Sequence, residues 1–491
     1  MSNAHRVGRA HRRWYAIAAA VCAAAVALPL YTAQGQEESS TRNDGTSTLT
    51  WQPCKGHSDA QCSTLTLPID RSAPGKTFGM KVARRKATNP SKRIGVLLVN
   101  PGGPGGSGVD MALDGKSFPA ELRERFDIVG FDPRGTGQSH PIKCSMKLIG
   151  KAPKELPRNQ TEFERLATYN RTLREDCRKR NGPLFEHADT LNVVRDMDAL
   201  RAALGEEKIN FYGHSYGTLI GQQYAQRYGR HVRSMVLDSN MDHSLGTSKL
   251  AATAAAAVED SLTAFAQWCK ATSTCALHGQ DVLGRWDRLL AAADRGQLHN
   301  AYGPASADNL ISYAEDSFMV PEWPEFAAWL KKLRIGKPQR QTDSSGIGTD
   351  PVRSAVFCQD WQVRVRDYQD LQDLVRAEKA TAPHARTSPK MHKTILGCAG
   401  WPERANNPQR SLHLDPGAPT ILLANSRHDP ATGLAWARNV HRQAPHKTRL
   451  LTYEGSGHKA VGTPCTINAM NQYLIHLTLP PQSSCPAADV K

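Results

Sequence analysis

The segment Gly213-His214-Ser215-Tyr216-Gly217 constrains this chain more than any other, because of what flanks it. Residues 209–212 are a short apolar, β-prone run, and residues 218–228 follow with helical character. A serine between glycines, set in a direct passage from strand to helix, reads as a sharp turn that presents its hydroxyl at the carboxyl edge of a sheet. The glycines let the backbone pass where side chains would clash. The bare pattern is weak evidence: Gly56-His57-Ser58 starts it too, but has Ala60 in the last place and no strand leading in.

The surrounding sequence supplies the sheet. Apolar runs of three to six residues at 94–99, 126–131, 209–212 and 235–237 are bounded by turn signals, as expected of strands buried on both faces. Between them, residues 191–204 place Val193, Val194, Met197, Leu200 and Leu204 at helical steps. Alternating strand and helix predicts an α/β fold, a mostly parallel sheet flanked by helices. The rhythm stops after Asp238 and resumes near Ala418, with a further buried run at 419–424. The stretch between is rich in Ala, Trp and charged residues, with helical segments near 250–269 and 323–333 and a Ser/Thr/Asp/Gly loop at 339–348, so a large, mainly helical cap is expected before the last core strands. The division expected is 49–240 for the first part of the core, 241–405 for the cap and 406–491 for the rest of the core.

Composition narrows the class. With 491 residues, 40% hydrophobic, 22% charged and 7% aromatic, the chain can bury a large core, which excludes disordered, collagenous and multi-span membrane proteins. Arg6, Arg9, Arg12 and Arg13 precede the alanine-rich segment 16–30 and the small residues Ala33 and Gly35, which reads as a signal peptide over 1–35. Its apolar part is shorter than the roughly 20 residues of a membrane span, so no stable membrane insertion is expected after cleavage. Arg12-Arg13 matches a twin-arginine signal only in part. Residues 36–48 read as a flexible lead-in. Removal of the leader takes Cys22 with it and leaves ten cysteines, an even number that suggests disulfides between sequence neighbours in an exported, extracellular protein. No zinc spacing is present, so neither a metal nor another cofactor is expected. The net charge of +16 is spread in short clusters without interleaved aromatics, which argues against nucleic acid and leaves loose attraction to anionic cell-wall polymers as the minority reading.

A serine nucleophile needs a base and an orienting carboxylate, in the chain order Ser, Asp, His for this arrangement. Asp429 lies just past the strand at 420–424 and His458 just past a strand at 449–453, both on the edge that carries Ser215. Asp238, at the end of another strand, is the rival carboxylate, whereas His428, His441 and His446 read as solvent-facing. The oxyanion of an attacked carbonyl needs N–H donors in place. One is expected from Tyr216, the other from the glycine loop 100–108, at Gly103 first and Gly102 second. That loop lacks the Gly-Lys-Ser/Thr ending of a phosphate cradle.

Together Asn100 to Gly108, Asp132-Pro133-Arg134-Gly135-Thr136-Gly137-Gln138-Ser139, the Ser215 segment, Asp429-Pro430-Ala431-Thr432 and Gly457-His458 resemble the secreted tripeptidyl aminopeptidase-like α/β-hydrolases, relatives of the proline iminopeptidases. Trp51-Gln52-Pro53-Cys54 and Cys398-Ala399-Gly400-Trp401-Pro402 extend the resemblance over nearly the whole mature chain. It implies an α/β-hydrolase core with a helical lid, a triad at Ser215, Asp429 and His458, and peptide substrates with free N-termini. The iminopeptidase pattern has His where Pro101 stands, which argues against strict N-terminal proline release. The substrate's α-ammonium calls for a carboxylate in the cap, and Asp360, Glu315 and Asp316 are the candidates. The expected activity is a secreted serine exopeptidase releasing short peptides, tripeptides foremost. The alternative is a secreted carboxylesterase using the same triad.

Overall fold

The computed structural model describes residues 48–488, apart from 74, 155, 301–302, 340–349 and 403. The signal peptide, nearly all of the lead-in and most of the 339–348 loop lie outside the described residues. The chain opens with β1 (Gln52–Cys54), β2 (His57–Pro68) and β3 (Thr77–Arg85), then β4 (Gly95–Asn100), α1 (Gly108–Leu113), α2 (Ala120–Arg125) and β5 (Phe126–Phe131). Helices α3 (Met146–Ile149), α4 (Gln160–Asn181), α5 (Pro183–Glu186) and α6 (Thr190–Ala203) precede β6 (Ile209–His214), α7 (Tyr216–Tyr228) and β7 (Val232–Asp238). A helical insertion follows: α8 (Thr247–Ala271), α9 (Val282–Asp294), β8 (Leu298–Asn300), β9 (Gly303–Pro304), α10 (Ala307–Met319), α11 (Trp323–Lys332), β10 (Arg334–Ile335), α12 (Pro351–Asp360), α13 (Tyr368–Thr381) and α14 (Pro389–Leu396). The chain closes with β11 (Ile421–His428), α15 (Leu434–Gln443), β12 (Thr448–Ser456), α16 (Pro464–His476) and β13 (Ser484–Cys485).

Ten strands form one sheet in the order β1-β2-β3-β5-β4-β6-β7-β11-β12-β13. Pairing is parallel from β5 to β13 and antiparallel at the β1-β2-β3-β5 edge. The two-residue period of a strand explains why the central runs are continuously apolar. In β4, Val96 and Leu98 enter one core, with Phe211 of β6, Met235 of β7 and Leu423 of β11; α6 and α7 cover that face through Val194, Met197, Ile220 and Tyr224. Leu97 and Val99 point the other way, with Tyr212, Val236 and Leu422, under α1, α2 and α16. The antiparallel edge escaped the reading of apolar runs because β2 buries only every second residue, Leu65 and Leu67 among exposed threonines.

The insertion has its own core, where Phe265, Phe318, Phe326, Trp286 and Trp323 cluster. A second cluster ties it to the sheet domain, joining Phe357 and Trp361 to Tyr216, Leu219 and Leu166. Among the described residues five disulfides join sequence neighbours, as expected: Cys54–Cys62, Cys144–Cys177, Cys269–Cys275, Cys358–Cys398 and Cys465–Cys485. Among the described residues no helix is long and apolar enough to cross a membrane.

Candidate active site

The order β5-β4-β6 is a topological switch: the chain leaves β4 to one side for β5 and later to the other for β6. The crevice at the carboxyl ends of such strands is where ligands bind. Ser215 stands there, between β6 and α7, with φ 55° and ψ −124°. A non-glycine residue in this region is strained by about 1–3 kcal/mol, so its surroundings must hold it. They do so closely: Ser215 N–H donates to Asp238 O (2.9 Å), and a Cβ on Gly213 would lie 2.5 Å from Gly217 O.

The loop after β4 presses against this elbow. A Cβ on Gly102 would meet His214 O at 2.5 Å and Tyr216 N at 2.6 Å, so only glycine fits. Gly102 N–H is already given to Asn100 Oδ1 (2.9 Å), which leaves Gly103, the residue that lines the cavity. The peptide carrying Gly103 N–H is pinned through its carbonyl, Gly102 O, by Gly106 N–H (2.8 Å). The peptide carrying Tyr216 N–H is pinned in the same way: Thr218 N–H (2.9 Å) and Thr218 Oγ1 (2.6 Å) both donate to Ser215 O. Tyr216 opens α7, where N–H groups lack intrahelical partners. Asp132 anchors the far end of the glycine loop, accepting from Ser107 Oγ (2.6 Å), Val109 N–H (3.1 Å) and Gln138 N–H (2.8 Å).

Asp429 and His458 are brought into contact, with His458 Nδ1 3.0 Å from both carboxylate oxygens. Asp429 also accepts from Ala431 N–H (2.9 Å), Thr432 N–H (2.9 Å) and Thr432 Oγ1 (2.9 Å). Burial opposes its ionisation, but the charge and hydrogen bond of His458 and the Thr432 and Ala431 amides prevail, so the carboxyl is held below its ordinary value. The ionised carboxylate therefore accepts a hydrogen bond from Nδ1–H of the imidazole, the tautomer in which Nε2 carries the free lone pair. Asp238, the rival, does a different task. It accepts from Tyr212 OH (2.8 Å), Ala460 N–H (2.8 Å) and Val461 N–H (3.2 Å), and so ties down the loop that carries His458. His214 helps from the other side: Nε2 donates to His458 O (2.6 Å), and burial followed by the charge of His458 holds this imidazole below its ordinary value and thus neutral.

Ser215 and His458 line one cavity of about 310 Å³, together with Gly103 and Tyr216. The core adds Pro101, His214 and Thr432, and the insertion adds Glu315 and Met319 of α10, Arg353 and Phe357 of α12, Lys390 and Met391 of α14. Met319 O also accepts His458 N–H (2.8 Å). Larger clefts, of about 840 Å³ beside Asp70 and Arg195 and about 630 Å³ beside Trp268 and Glu454, lie elsewhere and include neither Ser215 nor His458 in their walls.

The three acids expected to meet an ammonium group separate cleanly. Glu315 lines the cavity, is 1% exposed, and accepts from Ser388 Oγ (2.7 Å) and Lys390 N–H (3.2 Å); burial raises its pKa. Asp316 points outward, 62% exposed, and pairs with Lys390 Nζ (2.6 Å). Asp360 is fully buried beneath the cavity, not in its wall, with both oxygens engaged by protein donors; no substrate group reaches it. Sequence reasoning passed over Thr432 and His214, though both stood inside the quoted motifs, and missed Arg353, Phe357 and Lys390, which no motif marks. Among the described residues no group of three His, Cys, Asp or Glu is placed to hold a metal ion.

Fold and elbow together define an α/β-hydrolase of the serine type. Residues 95–294 match the model of the alpha/beta hydrolase fold and residues 383–485 that of TAP-like protein. The tripeptidyl aminopeptidase of Streptomyces lividans is 31% identical over 462 residues, covering 87% of this chain and 84% of its own. Serine protease Hip1 of Mycobacterium tuberculosis is 28% identical over 474 residues (88% and 90%), and Carboxylesterase B of the same organism 30% identical over 465 residues (86% and 86%). The chain belongs to the tripeptidyl aminopeptidase-like family of α/β-hydrolases and is a serine hydrolase of peptidase type.

Proposed function

We propose that this protein is an exported exopeptidase that removes short peptides, tripeptides foremost, from free N-termini. The observation that carries the proposal is Glu315, a buried carboxylate in the same cavity as Ser215 and His458. A buried charge needs a partner, and a substrate α-ammonium supplies one. In this reading residues 241–405 act as a cap that limits how much peptide enters, and 49–240 with 406–491 form the catalytic core. The disulfides agree with export.

Ser215 Oγ attacks the scissile carbonyl as His458 Nε2 takes its proton, and the oxyanion is held by Gly103 and Tyr216 N–H. His458 then protonates the departing amine, leaving a Ser215 acyl-enzyme. Water, deprotonated by the same Nε2, resolves it. Asp429 stays ionised and keeps the imidazole in the productive tautomer.

The test is mass spectrometry of the products from an unblocked peptide and its N-acetylated twin. Short N-terminal pieces from the free peptide alone are expected. Equal cleavage of both would mean an endopeptidase. The relative that is a carboxylesterase, at matching identity and coverage, supports a second reading, which gains if neither peptide is cut while a simple ester turns over.

A further inference from the structure

Helix α12 touches the oxyanion site at both ends. Near its start, Arg353 Nη1 donates to Gly103 O (3.0 Å), and a Cβ on Gly105 would meet Val352 Cγ1 at 3.0 Å, so the helix lies directly on the glycine loop. At its last residue, Asp360 accepts from Tyr216 OH (2.7 Å). Arg353, Phe357 and Asp360 stand at i, i+4 and i+7, hence on one face over about 10 Å of helix. The two contacts thus fall on Gly103 and Tyr216, the cavity-lining residues assigned above as oxyanion donors.

Asp360 is saturated with donors. Thr190 N–H (2.8 Å) and Asn407 Nδ2 (2.7 Å) serve Oδ1, while Thr190 Oγ1 (2.6 Å) and Tyr216 OH serve Oδ2. An ionised carboxylate accepts all four; a protonated one must turn an oxygen into a donor and disturb the set. Thr190 begins α6 and Asn407 lies beyond the insertion, so this one side chain joins α12, α6, α7 and the return strand of chain. Tyr216 is also the first residue after the strained Ser215, where the backbone most needs an anchor.

Resting on the assignment of Ser215 as nucleophile with Tyr216 and Gly103 as oxyanion donors, we propose that α12 is the strut that sets the oxyanion hole. Ionised Asp360 positions Tyr216, and Arg353 positions Gly103. Both are positioning residues and touch no substrate atom in this role. The insertion then serves the chemical step as well as substrate choice.

Burial, and next the charge of Asp189 at the start of α6, push the Asp360 carboxyl up to about 7. The two other groups with shifted values at this cluster lie far from that pH. His243, whose Nε2 donates to Asp360 O (2.6 Å), is pushed down to about 4 by burial, and Tyr216 is held well above its ordinary value; the remaining charged neighbours are the guanidinium groups of Arg353 and Arg410. Above pH 7 the carboxylate grips Tyr216; as pH falls through 7 the grip is lost. Asp360→Asn fixes the neutral form without changing shape.

The experiment compares wild type with Asp360→Asn, Tyr216→Phe, their double variant and Arg353→Gln on an unblocked peptide. Each kcat is normalised to the serine titrated by a fluorophosphonate, so that misfolded protein does not count. Expected are losses of about tenfold in kcat at pH 8 with KM unchanged, and a double variant no worse than either Asp360→Asn or Tyr216→Phe alone. The wild-type to Asp360→Asn ratio should rise with pH through about 7, since the His458 limb is common to both and cancels. Additive losses, effects confined to KM, or a ratio flat with pH would overturn the role of α12. Ser215→Ala, run alongside, separates the two levels: turnover retained there removes the nucleophile assignment itself, whereas an inert Ser215→Ala with an additive cycle removes only the strut.

Discussion

The sheet edge and the helical insertion meet in one cavity but hold their residues differently. On the sheet side each group is fixed through backbone: Ser215 N–H to Asp238 O, the His458 loop by Ala460 and Val461 N–H to Asp238, Asp429 by the amides of Ala431 and Thr432. The loops are short, and their positions follow from adjacent parallel strands in register. On the insertion side the groups sit on three separate helices and meet through side chains, Glu315 with Ser388 and Arg353 with Gly103. Reaction geometry is thus built where the fold leaves least freedom. Substrate contact is built from helices of the insertion, which meet the sheet edge at a few defined points, Met319 O on His458 and Arg353 on Gly103.

Three substitutions test that division, from the sheet outward. Ser215→Ala should lower kcat by about 10⁶-fold with an unchanged thermal midpoint; a variant that keeps a hundredth of wild-type activity would break the assignment. Asp429→Asn should cost about 10⁴-fold in kcat, because an amide in its place favours the wrong imidazole tautomer, and progress curves at saturating peptide would read it. Glu315→Gln, on the insertion side, should leave kcat nearly intact and raise KM for the free peptide by about 10- to 100-fold, the worth of one charge-assisted contact. The N-acetylated peptide should be indifferent to it. A kcat loss without a KM change would place Glu315 on the wrong side of the comparison.

The same division governed what could be read from the sequence. Ser215, Asp429, His458 and the glycine loop were legible because each stands just past a buried apolar run, and a run of that kind fixes both the strand and the edge it ends on. The helix at Val193, Val194, Met197 and Leu200 was legible by its period and is α6. Glu315 and Asp360 could be named only as acids in a helical region. Whether a carboxylate on a helix faces a cavity, a buried cluster or water depends on packing between helices dozens of residues apart. Glu315 lines the cavity, Asp316 beside it faces solvent, and Asp360 lies underneath. The small sheet of β8, β9 and β10 left no mark in the sequence, since strands of two or three residues have no period to detect.

The smallest effect concerns pH, where a core acid and an insertion acid should respond in opposite senses. The Asp429 carboxyl is lowered in the folded protein, so its contribution to stability is complete above the ordinary carboxylate range and is lost as pH falls through the lowered value. The Glu315 carboxyl is raised by burial, so the folded state is favoured most below its ordinary value and loses that advantage as pH rises through the raised one. Thermal midpoints should therefore show Asp429→Asn falling further behind wild type as pH rises through the acid range below about 4, while Glu315→Gln gains on it as pH rises from about 4 to about 8. In a body of this size each kcal/mol moves the midpoint by only about 1 °C, so the sign of each trend is the informative quantity. Parallel trends would mean that the two acids share one kind of environment. Opposed trends would mark Glu315 as a carboxylate whose charge is uncomfortable until a cation enters the cavity, which is what an enzyme that selects free N-termini requires of it.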